Sequence, residues 1–314
     1  MVYYRRMMYD TKILVFGSLN IDLTFGVDHI VRPGETISSG SLMKSAGGKG
    51  ANQAAALAKA LSNAFSKAGM PVYMAGKIGR DGRFLLSLLE SYGVNTRHVF
   101  IYEGETGQAI IQLDKNRQNS IVLFGGGNAA ITREEIGRVL AAFTPGDLIV
   151  LQNEIAHTRQ IMETAKNRGL KICLNPSPYD ETIEALPLEL ADILFVNEIE
   201  GAALGACGPA PTSSLAGVLD NLTSRFPQAE ILLTAGKEGA CYGCGKVREK
   251  GEIVDMPVVD TTAAGDTFTG YFLAARYCGL PAAEALNTAC KAASIAVSRK
   301  GAMEAMPFAR EVFA

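Results

Sequence analysis

Along the chain, short apolar runs rich in β-branched residues alternate with longer amphipathic or alanine-rich stretches. This is the pattern of strands joined through crossover helices into a parallel sheet. Six strands are predicted for the main sheet, at 12–17, 72–78, 147–152, 170–175, 192–196 and 230–234. Helices are predicted at 53–61, at 136–143 behind the capping box Thr132-Arg133-Glu134-Glu135, and at 267–278 and 281–298. A different texture interrupts this order twice. Residues 21–43 and 98–124 alternate apolar and polar positions with period two, between turn residues and without helical periodicity. Such stretches read as antiparallel strands, and since α/β material flanks both, they predict one small sheet folded as a flap over the main body. Neither a low-complexity linker nor an internal repeat divides the chain.

Composition narrows the function classes. The 314 residues are 48% hydrophobic and 20% charged, values of an ordinary globular protein, which argues against disorder or a coiled coil. A net charge of -2 supplies no positive field for nucleic acid. No apolar run is long enough for a signal peptide or a membrane span, so no membrane partner and a cytoplasmic location are expected. The six cysteines (Cys173, Cys207, Cys241, Cys244, Cys278, Cys290) lack disulfide-scaffold spacing and read as reduced thiols. Cys241 and Cys244 form a C-x-x-C without a second pair or a nearby histidine, in a context that resembles a hairpin turn more than a zinc site. Glycine, at 33 residues, is in excess, which points to tight turns and backbone held close to ligands.

The candidate chemistry lies at strand ends. Asp260-Thr261-Thr262-Ala263-Ala264-Gly265-Asp266 opens a helix, whose free amides at Ala264, Gly265 and Asp266 would hold the charge of a transferring phosphoryl group. Asp266 beside them suits a general base; alternatively it only stabilises the helix N-terminus. Gly47-Gly48-Lys49-Gly50-Ala51-Asn52 precedes an alanine-rich helix. It is not a Walker A loop, because Gly50 stands where the Mg-binding hydroxyl belongs. Its backbone could approach a small polar ligand, with Lys49 and Asn52 as donors, or it could be a structural turn. Asp22, after the first strand in Gly17-Ser18-Leu19-Asn20-Ile21-Asp22, could accept from two hydroxyls of a diol, and Glu154 is similarly placed after another strand. Asn197 and Glu200 have a spacing that suits hydrated Mg²⁺ or, alternatively, a helix cap. Thr234-Ala235-Gly236-Lys237-Glu238-Gly239 is a strand followed by a glycine turn, a plausible phosphate or ribose cradle. The three scattered histidines carry no triad or ligand spacing, and no G-x-G-x-x-G follows the first strand.

In their combined order, these motifs resemble the PfkB carbohydrate kinase family, and its ribokinase branch most closely, from about residue 12 to 308. The Gly47–Gln53 and Asp260–Phe268 runs are the specific signatures, with 174–178 and 298–302 in support. The resemblance implies a ribokinase-like three-layer α/β sandwich at 12–312, with a mainly parallel central sheet. It also implies a β-sheet lid from insertions about 19–45 and 98–124, and an N-terminal extension at 1–11. It implies ATP-dependent phosphorylation of D-ribose on its 5-hydroxyl, with Mg²⁺, activating K⁺, and a homodimer through the lid. Residue by residue it assigns Asp266 as base, and Ala264 and Gly265 to the anion hole. Asn20, Asp22, Gly48, Lys49, Asn52, Glu154 and Asp266 match sugar positions, and Asn197, Thr234, Gly236, Gly239, Gly265 and Cys290 match nucleotide positions. Asn197 and Glu200 match the motif that organises Mg²⁺ through water, and Asp260, Thr262, Ala296, Arg299, Gly301 and Ala305 match the K⁺ site. Two positions depart from the pattern: Cys290 replaces a frequent His near adenine, and Ala305 replaces a frequent Ser, which leaves the cation one side-chain oxygen poorer.

Overall fold

The computed structural model describes residues 11–62, 69–206 and 214–313; residues 1–10 of the expected N-terminal extension and Cys207 lie outside the described residues. The main sheet contains β1 (Ile13–Phe16), β4 (Val72–Gly79), β5 (Asn95–Tyr102), β8 (Leu148–Gln152), β9 (Lys171–Asn175), β10 (Ile193–Asn197), β11 (Glu230–Thr234), β12 (Ala240–Cys244) and β13 (Val247–Gly251), in the order β13-β12-β11-β10-β9-β8-β1-β4-β5. From β11 to β5 every pairing is parallel, whereas β12 and β13 add an antiparallel hairpin at one edge. That hairpin contains Cys241 and Cys244, as the sequence context suggests, and turns at Gly245 with φ 53°.

Both faces of the sheet are buried, which is why its strands are continuous apolar runs. Ile13, Val15, Met74, Val150, Phe195 and Leu232 point to a layer built from α1 (Lys49–Ala60), α2 (Arg83–Ser91), α7 (Ala264–Tyr277) and α8 (Ala282–Val297). Leu14, Phe16, Ala75, Leu151, Leu194 and Leu233 point the other way, to α3 (Arg133–Leu140), α4 (Thr158–Asn167), α5 (Glu198–Gly205) and α6 (Leu215–Arg225). The result is the expected three-layer sandwich. The predicted capping box is present: Thr132 Oγ1 accepts from the Glu135 amide at 3.3 Å, and the Glu135 carboxylate accepts from the Thr132 amide at 2.8 Å. Helix α1 starts at Lys49, earlier than its apolar pattern suggests, because Gly48 at φ 93° turns the chain directly from strand into helix. A Cβ on Gly48 would lie 2.8 Å from the Ser18 carbonyl oxygen, so backbone strain and crowding both demand glycine there.

The small sheet has the order β3-β2-β6-β7, with β2 (Asn20–Val27), β3 (Ser41–Gly47), β6 (Gly107–Asp114) and β7 (Asn119–Phe124). Two expectations are corrected here. Residues 98–102 do not belong to this flap: they lie in β5, which pairs parallel with β4 at the edge of the main sheet. Period-two alternation is the same for a half-buried edge strand as for a lid strand, so the pattern alone did not separate them. Nor is the flap wholly antiparallel, since its central pair, β2 and β6, is parallel. β2 and β6 are fed by the parallel strands β1 and β5, and therefore enter the flap in the same direction.

Candidate active site

A cavity of about 220 Å³ opens at the carboxyl ends of the central strands, where open α/β sheets collect ligands. Its lining includes Lys49, Asn197, Glu200, Thr234, Ala264, Gly265 and Asp266 from the sequence-predicted set, together with Asn175, Ser177, Thr261 and Thr269. Residues far apart in the chain thus converge through strand ends β9, β10 and β11 and the N-termini of α1, α5 and α7.

Ala263, the N-cap of helix α7, is held in the left-handed region at φ 58°. Its carbonyl accepts from the Thr267 amide and the Thr267 hydroxyl, both at 2.9 Å, and these bonds offset the cost of that conformation. The amides of Gly265 and Asp266 follow in the first turn, where no intrahelical acceptor exists, so they are free to face an anion. Ala264 is partly committed, its amide reaching the Thr261 carbonyl at 3.3 Å. Asp266 is 7% exposed, and both carboxylate oxygens accept from α1, Oδ2 from Asn52 Nδ2 and Oδ1 from Gln53 Nε2, each at 3.0 Å.

Beside this centre stand two further carboxylates. Glu154 accepts from the Ser18 hydroxyl and from the Lys49 amide at 3.1 Å, and burial pushes its pKa above the usual carboxylate range. Asp22 rests against Gly47, where a Cβ would come within 2.1 Å of Oδ2. Burial, reinforced by the negative charge of Glu154, raises the Asp22 pKa to about 7. Neither carboxylate is among the residues lining the cavity, but two neighbouring acidic groups with raised pKa values are a signature of a functional site. Asn20 is buried beside them, its Oδ1 accepting from Asn128 Nδ2 at 2.7 Å, while Asn128 Oδ1 accepts from the Leu19 amide at 3.0 Å.

Asn197 and Glu200 form a reciprocal capping box on α5: Asn197 Oδ1 accepts from the Glu200 amide at 2.8 Å, and Glu200 Oε2 accepts from the Asn197 amide at 3.1 Å. The cap does not remove them from the cavity, whose wall they share with Thr234. Gly236 and Gly239 sit in the turn after β11, at φ 49° and 86°, outside the lining of this cavity. Cys290 is also away from that wall, 2% exposed in the core, with its sulfur facing Gly251 of β13. Asp260 gathers two predicted cation-site residues: Oδ1 accepts from the Thr262 hydroxyl at 2.6 Å and amide at 3.0 Å, and Oδ2 from the Gly301 amide at 3.1 Å. The Ala296 carbonyl accepts from the Arg299 amide at 3.0 Å, and Ala305 is buried nearby in sequence.

Sequence reasoning singled out neither Gln53, Ser18, Asn128 nor Gln152 as site residues. Gln53 and Ser18 lie inside the motif runs and were legible there. Gln152 had a weaker signal, a polar residue ending an apolar strand, whereas Asn128 had none.

A mainly parallel sheet between two helical layers, with a carboxylate in the first turn of a helix lining a cavity at the strand ends, is the architecture of a small-molecule α/β enzyme. Residues 10–309 match the model of the pfkB family carbohydrate kinases, and the chain belongs to that family. It is 32% identical over 311 residues to the ribokinase of Staphylococcus aureus (strain COL), covering 96% of this chain and 98% of the relative. Among solved structures, it resembles the ribokinase of Cryptococcus neoformans var. grubii serotype A in complex with ADP, with a TM-score of 0.84, 35% identity, and coverage of 97% and 98% of the two chains. It also resembles the Arabidopsis thaliana ribokinase complexed with ribose and ATP, with a TM-score of 0.83, 30% identity, and coverage of 97% and 98%.

Proposed function

We propose that this carbohydrate kinase transfers the γ-phosphoryl group of ATP to the 5-hydroxyl of D-ribose, giving D-ribose 5-phosphate and ADP. The observation that carries this reading is the convergence of Asp266, the open first turn of α7 and the strand-end residues Asn197 and Thr234 on one cavity. Similarity to ribokinases over nearly the whole chain supports the choice of sugar. Asp266 takes the proton of the sugar's primary hydroxyl as that oxygen attacks in line, while the Gly265 and Ala264 amides receive the phosphoryl oxygens. Asn20, Asp22, Gly48, Lys49, Asn52 and Glu154 hold the remaining hydroxyls. Thr234, Gly236, Gly239, Asn197 and Gly265 hold the nucleotide, and Cys290 forms part of the packing behind it.

The donor set suits magnesium in its usual mode, bound to few protein groups. Among the described residues no cluster of three or more acidic, His or Cys side chains forms a cage, and Glu200 with Asn197 faces the cavity for contact through water. Bound with the nucleotide, Mg²⁺ neutralises phosphate charge. A potassium site fits Asp260 with oxygens of Thr262, Ala296, Arg299, Gly301 and Ala305, a hard-oxygen set. A cytoplasmic location is part of this reading; among the described residues no helix is long and apolar enough to cross a membrane.

The deciding assay is ADP release from MgATP with D-ribose, other sugars or nucleosides, in potassium and in sodium buffer. Turnover is expected to depend on ribose and to rise in potassium. Turnover with a nucleoside and none with ribose would keep the family and overturn the substrate.

The flap is read as both lid and dimer contact. Cross-strand register puts Asp22, Met43, Ile121 and Leu123 on one face, and Leu42, Ile110, Val122 and Phe124 on the other. Apolar side chains on both faces are exposed, Ile121 on the first by 51% and Val122 on the second by 59%. Closure over the sugar covers the first face only, and a second copy would cover the other. Val122→Lys should therefore shift a dimer to monomer mass in sedimentation equilibrium; a wild-type protein that is already monomeric at high concentration rules the dimer out.

A further inference from the structure

Behind Asp266 runs a chain of buried amides. Gln152, at the end of β8, donates from Nε2 to Gln53 Oε1 at 2.6 Å, and Gln53 on α1 donates from Nε2 to Asp266 Oδ1 at 3.0 Å. Both glutamines are 0% exposed, and neither is among the residues lining the cavity. The direction of donation is fixed by chemistry. An ionised carboxylate only accepts, so Gln53 must turn its amino group to Asp266 and its carbonyl to Gln152, which in turn must donate. Flipping Gln53 would set its carbonyl oxygen against the carboxylate and its amino group against that of Gln152. The orientation has a cost, since Gln152 Oε1 is left buried without a partner. That oxygen occupies the space a side chain at residue 17 would need: a Cβ there would lie 1.9 Å from it. The strand-end Gly17 thus makes room for the chain's first member.

We propose that Gln152 and Gln53 form a one-directional relay of hydrogen bonds that positions the Asp266 carboxylate for the reaction. They are positioning residues, not catalytic ones, because neither reaches the cavity. The proposal rests on Asp266 being the base. Removing the relay takes away a donor that favours the charged carboxylate and fixes its orientation. The charged groups that line the cavity with it, Lys49 and Glu200, are unaltered in such variants, and so is Glu154, which lies outside that lining but feels the Asp266 charge.

The test compares pH profiles of kcat at saturating sugar and MgATP for wild type, Gln53→Met and Gln152→Met, with Asp266→Asn alongside. In Gln53→Met the acid limb should move up by about one pH unit or more, leaving kcat at the foot of that limb roughly tenfold below wild type. The sugar KM should stay within about threefold. Gln152→Met should move the limb the same way by less, because Gln53 remains and only its orientation is freed. It acts from the far side of the relay and carries the test should Gln53→Met not fold. A merely structural role would lower kcat equally at every pH or only the melting temperature. Folded variants that keep the wild-type acid limb while Asp266→Asn is inactive would overturn the relay and leave the base reading standing. Full turnover in Asp266→Asn would overturn both.

Discussion

Asp266→Asn should lower kcat by about 10²–10⁴-fold, the range that a positioned general base supplies. The substitution is nearly isosteric, so the buried position at 7% exposure should tolerate it and the fold should persist. What changes is the proton inventory. Asp266 receives one hydrogen bond on each oxygen from Asn52 and Gln53, and it lines the cavity as a carboxylate acceptor for a hydroxyl proton at the α7 N-terminus. An Asn there has one oxygen and an amino group, and that group would face either the Asn52 or the Gln53 donor. The α7 amides and the sugar pocket are untouched, so the loss should fall on kcat, with the sugar KM changing only a few-fold. This is the pattern of an interaction realised in the transition state. Single-turnover phosphoryl transfer, measured with enzyme in excess, separates the chemical step from product release. A burst at the wild-type rate would remove Asp266 from the mechanism.

The same residues show what a sequence discloses and what it withholds. The six predicted core strands are legible because both faces of a parallel sheet are apolar, which leaves runs such as Ile13–Phe16 unbroken. The α7 N-terminus is legible because acid, small residues and helix onset are contiguous. Assignments that depend on neighbours distant in the chain were harder. Whether residues 98–102 join the flap or the main sheet depends on Ala75 and Gly76 lying opposite, which no local pattern encodes. The role of Gln152 depends on Gln53, and through it on a carboxylate on α7. Asn197 and Glu200 kept two readings because both are compatible: their side chains close a capping box and still form part of the cavity wall. Cys290 is matched by position alone, and its side chain lies in the core, outside the lining of the cavity.

Asp22→Ala should weaken sugar binding by about 10²–10⁴-fold, because two hydrogen bonds to a charged acceptor are worth about 1.5–3 kcal/mol each. Gly47→Ala should cause much of the same loss without touching the carboxylate chemically, since its Cβ would come within 2.1 Å of Asp22 Oδ2 and displace it. The pH dependence distinguishes this role from simple packing. Burial and Glu154 raise the Asp22 pKa from 3.8 to about 7 in the free protein. Because the folded-state value lies above the unfolded one, the native chain holds an extra proton between them. The stability linked to this proton is fully present below about pH 4 and is lost as pH rises through about 7. Sugar hydroxyls donate to the ionised form, so binding below pH 7 must expel the proton. Affinity should therefore rise about tenfold per pH unit up to about 7 and level off above it. Titration calorimetry in buffers of different ionisation enthalpy counts the released proton directly. Asp22→Asn, with nothing to titrate there, should remove the proton that Asp22 contributes to the slope and leave only what Glu154 contributes. A wild-type affinity that is constant from pH 5.5 to 8.5 would show that Asp22 does not bind sugar as an ion.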